Sequence, residues 1–230
     1  MPTEHTYKAF DDDIDALRSA VTTMGGLVER QVVRAVDSVR YGDLRRVMEV
    51  LADEETVNQM HVETDLRCNQ VIAKRQPIAV DLRETIAVIH SINDLERIGD
   101  EAKKIALKAR NFEGRALPIP VEPIVRMGNL VAEMLASAIE AFVHQDTSAA
   151  QALAARDCEV DLLRDQLVQS LIDKMAADST SVSDSLALVF VVQSIERVGD
   201  HAKNIAEYVV QIVEGIDSRH VKPRLLSSAA

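Results

Sequence analysis

The 230-residue chain is long enough to bury a substantial core, carries a formal net charge of −11, and has only 3% aromatic residues and no Trp. A surface that acidic repels phosphate backbones, which argues against nucleic acid as a partner. No stretch approaches the roughly 18 uninterrupted apolar residues of a membrane span, and the opening MPTEHTYKAFDDD is polar where a secretory leader is basic and then apolar, so the expected location is cytoplasmic.

Ala, Val, Leu and Ile supply most of the apolar content, a mixture suited to packed helices. Ile14, Leu17, Val21, Met24, Val28, Val32, Ala35 and Val39 recur at steps of three and four and predict a long amphipathic helix. Asp11 to Asp13 are expected at its start, where carboxylates favour the positive end of the helix dipole. Tyr41-Gly42-Asp43 reads as a stop followed by an N-cap. A second helix is expected from Leu44 to about Lys74, with Leu51, Val57, Val71 and Ile72 among its apolar positions, and Pro77 ends it. The third runs from about Asp81 through Ile86, Ile89, Ile92, Leu95 and Ile98 to Ala109 and closes near Gly114. ALPIPVEP then holds Pro118, Pro120 and Pro123, half of the six prolines, and reads as a linker.

From Ile124 the pattern begins again. Met24-Gly25 and Leu27-Val28 return as Met127-Gly128 and Leu130-Val131, an offset of 103; at the same offset Ala35 becomes Ala138, Asp43 becomes Asp146 and Val57 becomes Val160. Further on, ERIGDEAKKIA at Glu96 to Ala106 returns as ERVGDHAKNIA at Glu196 to Ala206, with eight of eleven positions identical; the offset falls to 100 because the first copy carries three extra residues around Lys74 to Arg83. The expected fold is therefore all-α: two tandem three-helix bundles, residues 1–116 and 124–216, related by an internal pseudo-two-fold repeat, with a 117–123 linker, a weakly ordered tail at 217–230 and no strands.

The doubled motif makes two unfavourable local choices twice. Glu96 and Asp100 are i and i+4, so their carboxylates share a face while Ile98, Ala102 and Ile105 share another. Such a like-charge pair costs roughly 0.2–0.5 kcal/mol, and Gly99 costs about 1 kcal/mol relative to Ala. If the second and third helices form a hairpin turning near Ile78, a residue twenty before the turn faces one twenty after it. Asn58 then lies level with Ile98, with Glu54 one turn further along. With the second turn near Asp178, Asp157 and Asp161 come alongside Glu196 and Asp200. Each repeat thus sets one pair, Glu54/Asn58 or Asp157/Asp161, against another, Glu96/Asp100 or Glu196/Asp200.

Carboxylates at that density need solvent, protons or cations to neutralise them. Oxygen-only ligands suit magnesium, manganese, or iron held through carboxylates. The competing reading is a solvated acidic face with Arg97 and Arg197 as salt-bridge partners. Asn58 in place of the acid of Asp161 predicts a weaker first site. His201 follows Asp200 but has Glu101 as its counterpart, so it reads as a surface histidine. His61, His90 and His144 read as solitary structural residues, Asp81-Leu82-Arg83 as a cap and salt bridge, and Cys68 and Cys158 as reduced, partly buried thiols. A carboxylate-bridged di-metal enzyme is the rival, but it uses Glu-x-x-His pairs and no histidine here has Glu three positions before it. A metal-free scaffold is the third possibility.

DLERIGD at Asp94 to Asp100, QPIAVDLR at Gln76 to Arg83 and ERVGDHAKNIAEYV at Glu196 to Val209 resemble the PhoU family of bacterial phosphate-signalling proteins, over nearly the whole chain. The resemblance implies a non-enzymatic, often dimeric cytoplasmic protein that binds divalent or trivalent ions (iron, manganese, magnesium or zinc) through E/DxxxD motifs. Those fall here on Glu96 and Asp100, Glu196 and Asp200, Asp157 and Asp161, with Glu54 and Asn58 as a departure. It also implies a negative regulator of the phosphate-starvation response, linking a phosphate ABC transporter ATPase to a sensor histidine kinase and peripheral to those membrane complexes.

Overall fold

The computed structural model describes residues 3–215, with side chains from Phe10 onward, so the expected tail at 217–230 lies outside the described residues. Six long helices follow one another: α1 (Thr3–Tyr41), α2 (Leu44–Arg75), α3 (Ala79–Ala109), α4 (Glu122–His144), α5 (Thr147–Ala177) and α6 (Val182–Glu214), with no strand among the described residues.

The helix ends follow from local chemistry. Gly42 takes φ +60° and its N–H bonds Ser38 O at 3.0 Å, closing α1. Asp43 then caps α2 by accepting from Arg45 N, and its repeat counterpart Asp146 caps α5 by accepting from Ser148 N and Ala149 N. Gln76 stops α2 in the left-handed region just before Pro77. The start of α1 differs from expectation. Helix begins at Thr3, so Asp11 to Asp13 sit two turns inside it, on its more exposed side, and not at the dipole's positive end. The stretch before Glu122 is irregular, but Leu117 and Ile119 rest against the core, and α4 opens with Pro123 in its first turn.

The stripe predicted on α1 is buried throughout. On α3 the core side carries Ile92, Leu95, Ile98, Ala102 and Ile105, whereas Ile89 is half-buried and Ile86 exposed. Leu51 and Ile72 are half-buried on α2. Cys68 is buried, and burial pushes its thiol up to about 12; Cys158, expected to be partly buried, is exposed.

The two repeats share one core, with α1 against α4 and α3 against α6, the most extensive helix pair. The contacts come in matched pairs. A Cβ at Gly25 would stand 2.8 Å from Ile139 Cδ1, and one at Gly128 would stand 2.6 Å from Val36 Cγ2. Gly25 and Gly128 are repeat counterparts, as are Val36 and Ile139, so each contact is the image of the other under a pseudo-two-fold axis. The α3–α6 seam obeys the same rule. Asp94 on α3 meets α6 through His201 Nδ1 at 2.7 Å, Asn204 Nδ2 at 3.2 Å and Tyr208 OH at 2.8 Å. In the mirror arrangement buried Glu101 of α3 meets Ser194 and Arg197 of α6.

His201 is therefore a cross-repeat hydrogen-bonding residue and not the plain surface histidine expected. His90 stacks on Tyr208 with centroids 5.2 Å apart, His61 Nε2 lies 3.0 Å from Asn93 Oδ1, and His144 is exposed in the last turn of α4. Asp81 lies in the first turn of α3 but Ile78 is the capping position, without a side-chain cap, and among the described residues Arg83 has no salt bridge; its Nε donates to Ile212 O at 3.1 Å, near the end of α6.

Candidate functional site

The α2/α3 hairpin turns at Gln76–Ile78 and the α5/α6 hairpin at 178–181, so the antiparallel arms bring the acids to equal height. In the first repeat Glu54 faces the ERIGD turn. The carboxylate is only 3% exposed, and its Oε2 lies where a Gly99 side chain would otherwise be, 2.8 Å from an ideal Cβ. A larger residue at that level would require the end of the Glu54 side chain to move. Gln31 Nε2 donates to Glu54 Oε2 at 3.1 Å and Asn58 Nδ2 to Glu54 Oε1 at 3.3 Å. Burial holds the Glu54 carboxyl above its ordinary value; Gln31 opposes this, and a hydrogen bond with Asp100 and the charge of Asp100 reinforce it. Glu96 is half-buried and has its ion pair with the adjacent Arg97, at 3.6 Å.

The second repeat brings its four acids within electrostatic reach of one another and places two basic groups among them. Arg164 Nη1 bonds Glu196 Oε1 at 2.7 Å and reaches Asp161 Oδ1 at 3.2 Å, while Lys203 Nζ donates to Asp157 Oδ2 at 2.6 Å. Partial desolvation, followed by the charges of Glu196 and Asp157 and then Asp161, raises the Asp200 carboxyl in spite of Lys203. Desolvation is the larger cause, and the neighbouring acids add to it.

The residues fit a hard cation in donor chemistry, since carboxylate and carboxamide oxygens are the ligands magnesium, manganese and calcium take. They fit in electrostatics too, because Glu54 and Asp200 are carboxyls raised first by desolvation and then by neighbouring acids, the surroundings in which a cation would offset the cost. The side chains are not gathered around one point: among the described residues no three His, Cys, Asp or Glu converge as they do about a metal ion. Binding at the second patch would require Arg164 and Lys203 to yield their carboxylates.

Gln31, Arg164 and Lys203 were not anticipated as site residues. Gln31 left a readable signal, a polar residue on the otherwise apolar stripe of α1, one step from Val28 and Val32 and matched by Met134 in the second repeat. Arg164 lies three residues after Asp161, within reach on one helical face. The Asp94 cluster left none, because it joins helices more than a hundred residues apart.

Comparison with known proteins agrees with this architecture. A PhoU domain model matches residues 21–109 and again 124–209. A phosphate-specific transport system accessory protein PhoU homologue of Burkholderia sp. is 34% identical over all of this chain and 99% of its own length. The Escherichia coli K12 phosphate-specific transport system accessory protein PhoU is 35% identical over 95% of this chain and 90% of its own. Among solved structures, PhoU from Pseudomonas aeruginosa superimposes with a TM-score of 0.87 at 36% identity, over 90% of this chain and all of that one. The phosphate transport system regulatory protein PhoU from Streptococcus pneumoniae gives 0.83 at 26% identity, over 90% and 98%. These names are accessory and regulatory, not enzymatic. With both halves of the doubled motif falling inside the two matched segments, the chain belongs to the PhoU family.

Proposed function

We propose that this protein is a cation-binding adaptor that restrains phosphate uptake and the phosphate-starvation response. In this reading it is a cytoplasmic homodimer that contacts the ATPase of a phosphate ABC transporter on one side and a sensor histidine kinase on the other. The observation that carries the reading is the end-to-end likeness to accessory proteins of phosphate-specific transport systems, at identities of 34–37%. The chain has no helix among its described residues long and apolar enough to cross a membrane, so its role at a transporter would be peripheral. The clustering of partly desolvated carboxyls at Glu54/Asp100 and at Asp157/Asp161/Glu196/Asp200 supports the cation half of the proposal. Ions bound there supply positive charge through which phosphate or phosphorylated groups could be read on an otherwise acidic protein.

Arg164 and Lys203 favour a second reading, in which the acids need no metal and bind basic surfaces of partners. One experiment separates the two. Tagged protein is purified under mild conditions, its metal content measured, and the transporter ATPase and kinase captured with and without chelator. Bound manganese, iron or magnesium together with chelator-sensitive capture is expected. Capture that persists after the metal is stripped favours the scaffold, and failure to capture either partner rejects the adaptor role.

A further inference from the structure

The repeat relates the two acidic patches, but the positions around them are filled differently. Gln31 on α1 is completely buried. Its Nε2 donates to Val50 O at 3.2 Å and to Glu54 Oε2 at 3.1 Å, while its Oε1 has no hydrogen-bond partner. A buried carbonyl oxygen without a donor is unfavourable and calls for an explanation. That oxygen and Glu54 Oε2 border the same space, 3.2 and 2.8 Å from where a Cβ on Gly99 would stand. In the second repeat the position of Gln31 is taken by Met134, also fully buried, and the space at Gly199 is bordered by carbon atoms of Val131, Val160 and Met134 at 3.4–3.8 Å. One cradle is lined by oxygen and the other by hydrocarbon.

A second difference runs the other way. Arg164 of the second patch bonds both Asp161 and Glu196, whereas the counterparts of Asp161 and Arg164 in the first are Asn58 and His61, and His61 turns to Asn93. The second patch therefore carries an extra carboxylate together with a tethered guanidinium that answers it. The first patch has neither.

We propose that the first patch is the tighter cation site, taking one hard divalent ion between Glu54, Asp100 and the Oε1 of Gln31, while Arg164 competes with any ion at the second. The inference rests on the cation half of the function proposed above and reverses the order that Asn58 suggests by itself. Carboxylate and side-chain carbonyl oxygens together are a ligand set for magnesium, manganese or calcium. A neutral oxygen from the core adds a ligand without adding repulsion among the carboxylates. At the second patch an entering ion must first break a charge-assisted hydrogen bond, which costs about tenfold in affinity.

The test exchanges residues between the repeats. Metal-stripped full-length protein is titrated with Mn2+, free ion being read by electron paramagnetic resonance, and wild type is expected to show a tight and a weak class. Gln31→Met, which installs the residue the second repeat tolerates, is expected to weaken the tight class by about tenfold and leave the weak one unchanged. Arg164→His is expected to tighten the weak class by a similar factor and leave the tight one unchanged. Because Arg164 lies at the surface, its variant keeps the proposal open to refutation even if Gln31→Met folds poorly, which a metal-free melting curve reveals. An unchanged tight class in folded Gln31→Met, or an unchanged weak class in Arg164→His, overturns the ranking. Absence of Mn2+ binding by the wild type is a different failure and rejects the cation reading itself.

Discussion

Asp200 shows how much of the site is a matter of charge. Its carboxyl is raised by partial desolvation and by three neighbouring acids, and a carboxyl raised in the folded state favours folding only while it is protonated. That stability is complete below the ordinary value of 3.8 and is lost as pH rises through the folded value, so at neutral pH the metal-free protein carries a penalty here. Asp200→Asn should therefore raise the melting temperature of metal-free protein at pH 7, with a gain that shrinks as pH falls toward 3.8. A lower melting temperature at pH 7 would mean that the lost attraction between Asp200 and the nearby Lys203, which is itself bonded to Asp157, outweighs the relief of repulsion. The acids themselves were legible, because a carboxylate pair repeated at a fixed offset is visible in a string of letters. The guanidinium that answers them was not, since Arg164 is paired with Glu196 by a hairpin register and not by any repeat: its counterpart is His61.

At the scale of the helix, the shared ERxGD motif conceals two different packing problems. Gly199 has only ordinary contacts around it, so Gly199→Ala should stabilise α6 by roughly 0.5–1 kcal/mol through lower backbone entropy. Gly99→Ala should forfeit that gain, because the new methyl displaces Glu54 from Gln31 and breaks a hydrogen bond to a charged group, about 1.5–3 kcal/mol. Denaturant unfolding of both variants checks the opposite signs, and equal effects would show that the two turns are packed alike. Helix boundaries were readable wherever a residue has a conformational reason to sit there, as Gly42, Asp43 and Pro77 do. The beginning of α1 was not, because three aspartates resemble a first turn whether or not the helix has already run for two. Ile86 misled for a related reason: it belongs to a run of isoleucines at helical spacing, but that part of α3 is not covered on the side it occupies.

Across the whole molecule, the ties between repeats decide whether the chain melts once or twice. Asp94 is buried and accepts from His201, Asn204 and Tyr208 of the other repeat. Asp94→Ala removes three hydrogen bonds to a buried carboxylate and should cost about 2–4 kcal/mol. Calorimetry should show a single transition in wild type, since one core spans both repeats, and a single transition at lower temperature in the variant. Two separated transitions in wild type would contradict a shared core. The duplication itself was plain in the letters, but the axis relating its halves became visible only through reciprocal contacts such as Gly25 on Ile139 and Gly128 on Val36.

Those reciprocal contacts have an evolutionary meaning. Were the same architecture assembled from two identical half-length polypeptides, every substitution would be inherited at both ends, and a glutamine beside one acidic turn would stand beside the other as well. Covalent fusion removes that obligation: Gln31 and Met134, or His201 and Glu101, can drift apart while the scaffold that pairs them stays in place. A tandem molecule of this kind is free to address unlike clients from its two ends, a freedom its symmetric equivalent would lack.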